Sequence, residues 1–261
     1  MFKFSHLNKF VAAAVLLSVG VVASIAYANH SWGNYHWART ANPFTLKLGD
    51  NVSLVWDTRL TTASVDWSQS IVLDTTVVAG RTNPKNCRAT NGRVEVCNSK
   101  YGNNGWLGIA SIWVNGDHIT QGTVRLNDTY FNTPQYNTPA WRQLVVCQEV
   151  GHTFGLNHQD ENFNNTNLNT CMDYTNDPTS NQHPNTHDYD QLAIIYAHLD
   201  SFTTLLATSV FGNGAGVSAK DLNTENPSEW GKVIRKSHDG RNSLYERDLG
   251  NGNKLFTFVI W

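Results

Sequence analysis

The stretch CQEVGHTFGLNH, which begins at residue 147, constrains this chain more than any other part of its sequence. Residues four apart on a helix share one face, so Gln148 and His152 point in the same direction, with Glu149 beside them on the same turn. Gly155 can adopt the left-handed conformation that ends a helix, which lets the chain turn back and bring His158 toward the same point. The spacing therefore predicts a metal-binding helix.

This pattern resembles the zinc signature HExxHxxGxxH of the metzincin clan of zinc metallopeptidases, with Gln148 where the family has its first histidine. Metzincins also have a methionine turn beneath the metal, and the letters CMDY around Met172 follow the helix at about the expected distance. The resemblance covers roughly residues 44–200. It implies a zinc ion held by Gln148, His152 and His158, with Met172 as the apolar floor of the site.

The resemblance also implies roles for two further residues. Glu149 would act as the general base that takes a proton from the metal-activated water as it attacks the peptide carbonyl. Tyr174, two positions after the methionine, matches the place from which some metzincins direct a tyrosine hydroxyl at the metal, where it could stabilise an oxyanion. A tyrosine that only packs against its neighbours fits the sequence nearly as well.

The glutamine leaves the set of metal ligands open. Its amide oxygen can reach about where a histidine places its distal nitrogen, but it is a harder and weaker donor than imidazole, so zinc affinity should fall. Gln148 could instead be a hydrogen-bonding spectator, with the metal lost or held otherwise. Asp160 is the best substitute ligand, because related metallopeptidases can use a carboxylate. His118, His183 and His187 each fit a surface or turn position better than a ligand position.

Two functions from different classes fit these residues. The first is a secreted zinc-dependent endopeptidase that hydrolyses peptide bonds with a metal-activated water, which implies a peptide or protein substrate. The second is a non-catalytic protein with the metzincin fold that has lost its metal and binds peptides or partners at its edge strand. The first is favoured because a dead site has no reason to keep Glu149, His152, His158, Met172 and Tyr174.

Composition limits the partners of the chain. Its 261 residues, of which 40% are hydrophobic, can bury a full core and suit one catalytic domain plus a smaller piece. The net charge of −2 comes without a basic stripe or a nucleic-acid-binding motif, so the sequence predicts no binding to nucleic acid or to an anionic membrane. We expect a monomer.

The first residues fit a secretory signal. Lys3 and Lys9 precede an apolar run, and a small-x-small cleavage site ends at Ala28, which predicts secretion and no membrane anchor after cleavage. An uncleaved N-terminal anchor is the alternative, although the run is short for a membrane span of about 20 residues. The predicted divisions are a signal peptide (1–28), an N-terminal arm (29–43), a metzincin-like metallopeptidase domain (44–200), and a linker with a small β-rich segment (201–261).

Local periodicity predicts an α+β fold. Residues 44–48 alternate like a strand, apolar residues then recur at helical spacing behind Ser53, and residues 71–78 read as a second β segment, which together suit a βαβ crossover. Thr138 and Pro139 are typical of the start of the metal helix. The resemblance implies a mostly parallel twisted sheet with an antiparallel edge strand, packed by an active-site helix and a C-terminal helix.

The last third of the chain adds a helix and a β-rich tail. A helix over residues 186–199, in which Asp188 and Gln191 resemble a capping box, ends the metzincin-like part. Beyond a Gly-rich linker at 212–216, short β segments with Asp-Gly and Asn-Gly turns predict a small antiparallel meander. This tail is either a separate accessory module or a set of strands that packs on the catalytic domain.

A longer β segment at residues 106–113 lies just upstream of the metal helix. Metzincins have an antiparallel edge strand in this place, which holds the substrate by backbone pairing. The resemblance therefore assigns Leu107, Gly108, Ile109 and Ala110 to the substrate edge strand. An ordinary edge or core strand fits the local sequence about equally well.

Four cysteines, an even number in an exported chain, suggest two disulfides. Cys87 and Cys97 bracket a turn that contains Gly and Asn, while Cys147 and Cys171 precede the Gln-Glu pair and the methionine turn. The predicted pairs are Cys87–Cys97 and Cys147–Cys171, although the sequence leaves the other two connectivities open. Zinc bound by the cysteines fits less well, because neither pair has the CxxC spacing.

The stretch from Asp160 to Asp177 is rich in Asn and Asp and offers oxygen donors for a structural Ca²⁺. It has no EF-hand pattern, and a solvated loop accounts for the composition better.

Overall fold

The computed structural model of the protein describes residues 30–206 and 222–261. The predicted signal peptide and the predicted linker at 212–216 lie outside the described residues. Within those two ranges, no helix is both long enough and apolar enough to cross a membrane.

The described residues form one mixed sheet with four helices. The strands are β1 (His36–Trp37), β2 (Phe44–Asn51), β3 (Leu73–Ala79), β4 (Arg93–Ser99), β5 (Gly108–Asn115), β6 (His118–Asn127), β7 (Lys232–Lys236), β8 (Asn242–Gly250) and β9 (Asn253–Ile260). The helices are α1 (Leu54–Trp67), α2 (Asp128–Phe131), α3 (Pro139–His152) and α4 (Thr186–Ile195). The strand order is β3-β2-β4-β6-β5-β9-β8-β7, and the short β1 pairs with β6.

The half of the sheet formed by β3, β2, β4 and β6 is parallel, in agreement with the predicted mixed fold. β2, α1 and β3 form the predicted βαβ crossover, because the apolar side chains that recur along α1 are buried on one face. These side chains are Trp56, Leu60, Ala63 and Trp67. Ser53 takes the N-cap position of α1, but its side chain accepts no capping hydrogen bond. α1 also packs against α3, so the two helices lie side by side on the sheet.

α3 begins and ends as the sequence predicts. The Thr138 side chain accepts a hydrogen bond from the backbone N–H of Trp141 at 3.2 Å, and Pro139 takes the first helical position. His152 is the last helical residue, and Gly155 then adopts a φ of 97°. The chain therefore ends the helix in the left-handed conformation that glycine tolerates best.

α4 is shorter than predicted and is capped differently. It ends at Ile195 rather than near residue 199. The Asn185 side chain accepts a hydrogen bond from the backbone N–H of Asp188, and the Asp188 carboxylate accepts one from the backbone N–H of Asn185 at 2.8 Å. The predicted capping box of Asp188 with Gln191 is therefore wrong, because Asp188 is the third helical residue and reaches back to the cap instead.

The β-rich tail joins the main sheet. β7, β8 and β9 form an antiparallel meander, and β9 pairs along its length with β5, from Gly108 opposite Ile260 to Asn115 opposite Asn253. β5 therefore has a strand on each side and is not the open edge that the sequence analysis expects. The physical reason is that β9 pairs with the row of backbone donors and acceptors that an edge strand leaves open.

Both predicted disulfides are present, as Cys87–Cys97 and Cys147–Cys171. The second joins α3 to the methionine turn across a sequence separation of 24 residues. In the chain-entropy account, a crosslink of this length destabilises the unfolded chain by roughly 3 kcal/mol. It therefore fixes the methionine turn relative to α3.

Replacing both Cys147 and Cys171 by Ala is expected to lower the free energy of unfolding by roughly 3 kcal/mol. Denaturant unfolding of the oxidised protein measures this change. The matched control replaces Cys87 and Cys97, whose separation of 10 residues predicts a slightly smaller loss. Unchanged unfolding of the first double variant would contradict the structural role of the crosslink.

Candidate active site

Two imidazole rings face each other where α3 ends. His152 is the last residue of α3, and His158 follows the turn at Gly155. Their Nε2 atoms are 2.9 Å apart, and both residues are buried. The structure thus brings together the two histidines of the motif.

The other ring nitrogens determine where the protons lie. His152 Nδ1 is 2.9 Å from the backbone oxygen of Leu156, and His158 Nδ1 is 2.8 Å from Glu161 Oε1. A carbonyl and an ionised carboxylate only accept hydrogen bonds, so both Nδ1 atoms carry hydrogen. The two Nε2 lone pairs therefore face each other and need a cation between them, either a proton or a metal ion. Burial and the His158 ring lower the pKa of His152 well below its ordinary value.

Gln148 lies one turn before His152 on the same face of α3 and is fully buried. Its side-chain amide donates a hydrogen bond to the backbone oxygen of Cys171 at 2.8 Å. Its buried Oε1 has no hydrogen-bond partner among the described residues, which is costly for an amide oxygen. This orphaned oxygen, together with the two facing Nε2 atoms, fits the nitrogen and oxygen donors that zinc accepts.

Glu149 is completely buried beside this group. Neither of its carboxylate oxygens has a hydrogen-bond partner of normal geometry among the described residues. A Cβ on Gly108 would stand 2.8 Å from Glu149 Oε1, so glycine permits the close approach of β5. Burial raises the pKa of Glu149 well above its ordinary value, and the backbone N–H of Ala110 offsets only part of this effect.

The methionine turn packs under the end of α3. Met172 is fully buried, and a Cβ on Gly151 would stand 2.7 Å from its sulfur. The Tyr174 ring lies 4.3 Å from the His158 ring, but its hydroxyl donates a hydrogen bond to the backbone oxygen of Val259 at 3.3 Å. Burial raises the pKa of Tyr174 well above its ordinary value, so the hydroxyl keeps its proton. In this structure the Tyr174 hydroxyl is therefore hydrogen-bonded to the backbone of β9.

A carboxylate that the sequence analysis did not single out lies behind His158. Glu161 accepts the hydrogen bond from His158 Nδ1 and pairs with the Arg235 guanidinium of β7 at 3.0 Å. Burial alone would raise the pKa of Glu161, but His158 and Arg235 hold it below its ordinary value. The carboxylate of Asp160, the predicted substitute ligand, instead accepts a hydrogen bond from the backbone N–H of Asn162 at 2.6 Å. That bond is the local turn role of an aspartate.

β9 covers the whole group. The ring of Phe258 stacks on the ring of His152, with 4.3 Å between centroids and 10° between planes. The β5 residues Gly108, Ile109 and Ala110, which the sequence analysis assigned to substrate, pair with β9 residues 258–260. As a result, no predicted metal ligand is more than 3% exposed. The same limit holds for Glu149, Met172 and Tyr174. A peptide can reach these residues only if β9 moves.

The other histidines considered from the sequence lie elsewhere. His183 Nδ1 is 2.7 Å from a carboxylate oxygen of α1, and the His187 ring stacks on the His30 ring at 4.8 Å. His118 Nε2 is 3.3 Å from Asp200 Oδ1, in a cluster that the sequence analysis did not foresee. His118 and Asp200 are 82 positions apart in the chain, so no local spacing could have revealed their contact.

Calcium, which the composition suggested, has no support here. Asp173 Oδ2 accepts hydrogen bonds from the backbone of Leu168 and the side chain of Asn181. Asp177 Oδ1 accepts hydrogen bonds from the backbone and hydroxyl of Thr179. These oxygens organise the loop itself, which is the ordinary use of aspartate in turns.

No protein-family model and no curated protein matches the sequence. Among solved structures, one of myroilysin is similar with a TM-score of 0.36 and 11% identity, over 62% of this chain and 96% of that one. High choriolytic enzyme 1, a hatching enzyme zinc-protease from the medaka fish Oryzias latipes, has a TM-score of 0.35 and 10% identity, over 64% and 96% of the two chains. A crystal structure of myroilysin has a TM-score of 0.34 and 10% identity, over 67% and 97%. At this level of likeness, the comparisons assign no activity, metal or site residue to this chain.

Proposed function

We propose that this chain is a zinc-dependent endopeptidase held in a closed form, with β9 in the position of a substrate strand. The observation that supports this most directly is the pair of Nε2 atoms 2.9 Å apart, each on a ring whose Nδ1 already donates a hydrogen bond. Such rings present their lone pairs to a common point, as ligating histidines do.

Gln148 through Oε1, and His152 and His158 through Nε2, would hold the zinc ion. When bound, zinc polarises the scissile carbonyl and makes water a competent nucleophile at neutral pH. The hydrogen bond from Gln148 to Cys171 turns the amide oxygen away from the carbonyl of the methionine turn. Leu156 and Glu161 fix the tautomers of the two imidazoles by accepting their Nδ1 hydrogens.

Glu149 would move the proton. In the open form, its carboxylate takes a proton from the attacking water while the water oxygen bonds to the peptide carbon. It then gives that proton to the leaving nitrogen as the carbon–nitrogen bond breaks. Burial raises the pKa of Glu149, so its ionised form takes up a proton readily, and no ion pair among the described residues competes for it.

β9 would act as a built-in substitute for substrate. It pairs with β5 in the antiparallel direction, which is how an extended peptide adds itself to an open strand. Its departure would free the β5 backbone, uncover the His152 ring and release the Tyr174 hydroxyl from the Val259 backbone. The released hydroxyl could then donate a hydrogen bond to the oxyanion that forms on the peptide carbonyl.

A non-catalytic protein that binds peptides at β5 has less support. The strand that would bind the peptide is already paired on both sides. The buried Glu149 carboxylate and the orphaned Gln148 Oε1 also cost stability, and a purely binding protein has no reason to retain them.

The substrate of the proposed enzyme is a peptide or protein, and its site of action is outside the cytoplasm. The two disulfides support this location, because such bonds persist in oxidising compartments.

Replacing His152 by Ala is expected to remove one zinc equivalent per chain relative to the unaltered protein, because only two of the three proposed donors remain. Elemental analysis after dialysis against zinc and gel filtration measures the metal. The His183→Ala variant is the control, since that ring is 57% exposed and contacts a carboxylate outside the site. Equal zinc in the His152→Ala and unaltered proteins would refute the proposed ligand set.

A further inference from the structure

A second group of histidines meets one carboxylate at the junction of β1, β6 and the segment after α4. His36 lies on β1, and the parallel pairing of β1 with β6 places it opposite His118. His198 and Asp200 follow the end of α4. This cluster shares no residue with the group around His152.

The polar atoms of the cluster converge on Asp200 Oδ1. The Nε2 atoms of His36, His118 and His198 lie 3.4, 3.3 and 3.9 Å from that oxygen. The Nε2 atoms of His36 and His198 are 3.1 Å apart. The donor atoms of His36, His198 and Asp200 all lie within 4.8 Å of one another, which is the spacing of ligands around a single ion.

The surrounding contacts orient these atoms. His36 Nδ1 is 2.6 Å from the backbone oxygen of Asn34, so the Nδ1 hydrogen is donated there and a neutral ring presents a bare Nε2 to the cluster. Arg39 Nη1 and the Arg39 backbone N–H bind Asp200 Oδ2 at 2.9 and 3.2 Å, which leaves Oδ1 as the inward-facing oxygen. His36 Nε2 and Asp200 Oδ1 are then two acceptors 3.4 Å apart, which repel unless a donor or a cation lies between them. Hydrogen bonds behind a ligand, as His36 and Asp200 have here, are typical of metal sites.

We propose that His36, His198 and Asp200 bind a divalent transition-metal ion, with zinc as the first candidate. Two imidazole nitrogens and one carboxylate oxygen suit zinc, and borderline metals such as cobalt bind the same donors. His118 is a positioning residue, which holds Asp200 Oδ1 through its own Nε2 hydrogen. A cavity of about 440 Å³ lined by His36, His198 and Asp117 gives the ion a path from solvent and room for water as the remaining ligand.

The ion would crosslink His36 in the N-terminal arm to His198 and Asp200 in the segment after α4. His36 and Asp200 are separated by 164 positions in the chain, so a metal bridge between them closes a long loop. Arg39 already links the same two segments through Asp200. The expected consequence is a higher melting temperature in the presence of zinc, separate from any effect at His152.

The test compares metal binding by full-length mature proteins that carry substitutions in one site only. His198→Ala is suitable because 54% of that side chain is exposed, so the fold loses little packing. We expect His198→Ala to lose one zinc equivalent per chain and to show a smaller zinc-dependent rise in melting temperature than the unaltered protein. A zinc-dependent rise should remain in His152→Ala and be absent from the double variant His152→Ala/His198→Ala. With Co²⁺ as probe, the His152→Ala protein should show visible absorption that the double variant His152→Ala/His198→Ala lacks.

His183→Ala is the matched control for His198→Ala, because its ring also pairs with one aspartate and is 57% exposed. His118→Ala should weaken zinc binding rather than abolish it. Unchanged zinc content and an unchanged zinc-dependent melting shift in His198→Ala would overturn the proposal and leave a purely hydrogen-bonded cluster. A zinc equivalent lost in His198→Ala but not in His152→Ala would support this site while refuting the proposed active site.

Discussion

Replacing Glu149 by Gln is expected to lower kcat/KM for peptide hydrolysis on the order of 10²- to 10⁴-fold, while zinc content stays the same. The amide keeps the shape of the side chain but can no longer take a proton from the attacking water. Neither proposed zinc-ligating ring contacts the substituted atom through a hydrogen bond. Because burial disfavours the ionised form of Glu149, the neutral amide should leave the melting temperature equal or higher.

The measurement is the cleavage rate of a mixed library of internally quenched peptides, followed by zinc analysis of the same samples. Glu95→Gln is the matched control. Glu95 is also fully buried, but it pairs with Arg93 at 2.9 Å on β4. That variant should lose stability and keep its chelator-sensitive activity per folded molecule. Full activity in Glu149→Gln would remove the residue from the chemistry.

Replacing Phe258 by Ala is expected to raise peptide cleavage on the order of 10²-fold above the unaltered chain. The ring covers His152 and is fully buried, and loss of such a ring costs about 3–5 kcal/mol. Most of this free energy should be lost from the packing of β9 over the site. The equilibrium constant for opening, and with it the fraction of molecules with an open site, then increases accordingly. Cleavage should increase without a change in zinc content.

A general loss of stability could also admit substrate, so the control must be equally destabilising but remote from β9. Leu60→Ala meets this requirement, because Leu60 is fully buried on α1 and contributes to the same hydrophobic core. We expect increased cleavage in Phe258→Ala only, and the increase should disappear in Phe258→Ala/Glu149→Gln. Equal increases in both single variants would show that unfolding, rather than release of β9, exposes the site.

Several parts of the site could be predicted because they depend on neighbours in the sequence. The cap at Thr138, the helical spacing of Gln148 and His152, and the turn at Gly155 are local, and α3 forms with those features. The pairing of Cys147 with Cys171 could also be predicted. Cys147 directly precedes Gln148 on α3, Cys171 directly precedes Met172, and the motif places these two segments next to each other. Local sequence therefore specified the helix and the side chains that it presents.

Other features depended on contacts between distant segments. Glu161 rather than Asp160 meets His158, because the path of the loop after the helix decides which of two adjacent carboxylates faces the ring. The apolar run of β5 and the Asn-Gly turn that follows it mark it as a strand but do not identify its partners. β9 lies far along the chain and supplies the second partner, so the predicted open edge is closed.

By itself, the sequence determined the helix, the spacing of the polar side chains along it and most strand positions, because each of these follows from periodicity, capping or spacing within a short segment. It indicated the two disulfide pairs but left the other connectivities open. Only the tertiary structure decided that β9 covers His152, and that His36 and His198 meet Asp200. Both arrangements arise from strand pairing and packing between segments that are remote in sequence. Such contacts are selected by the burial of the whole core, which no local pattern records.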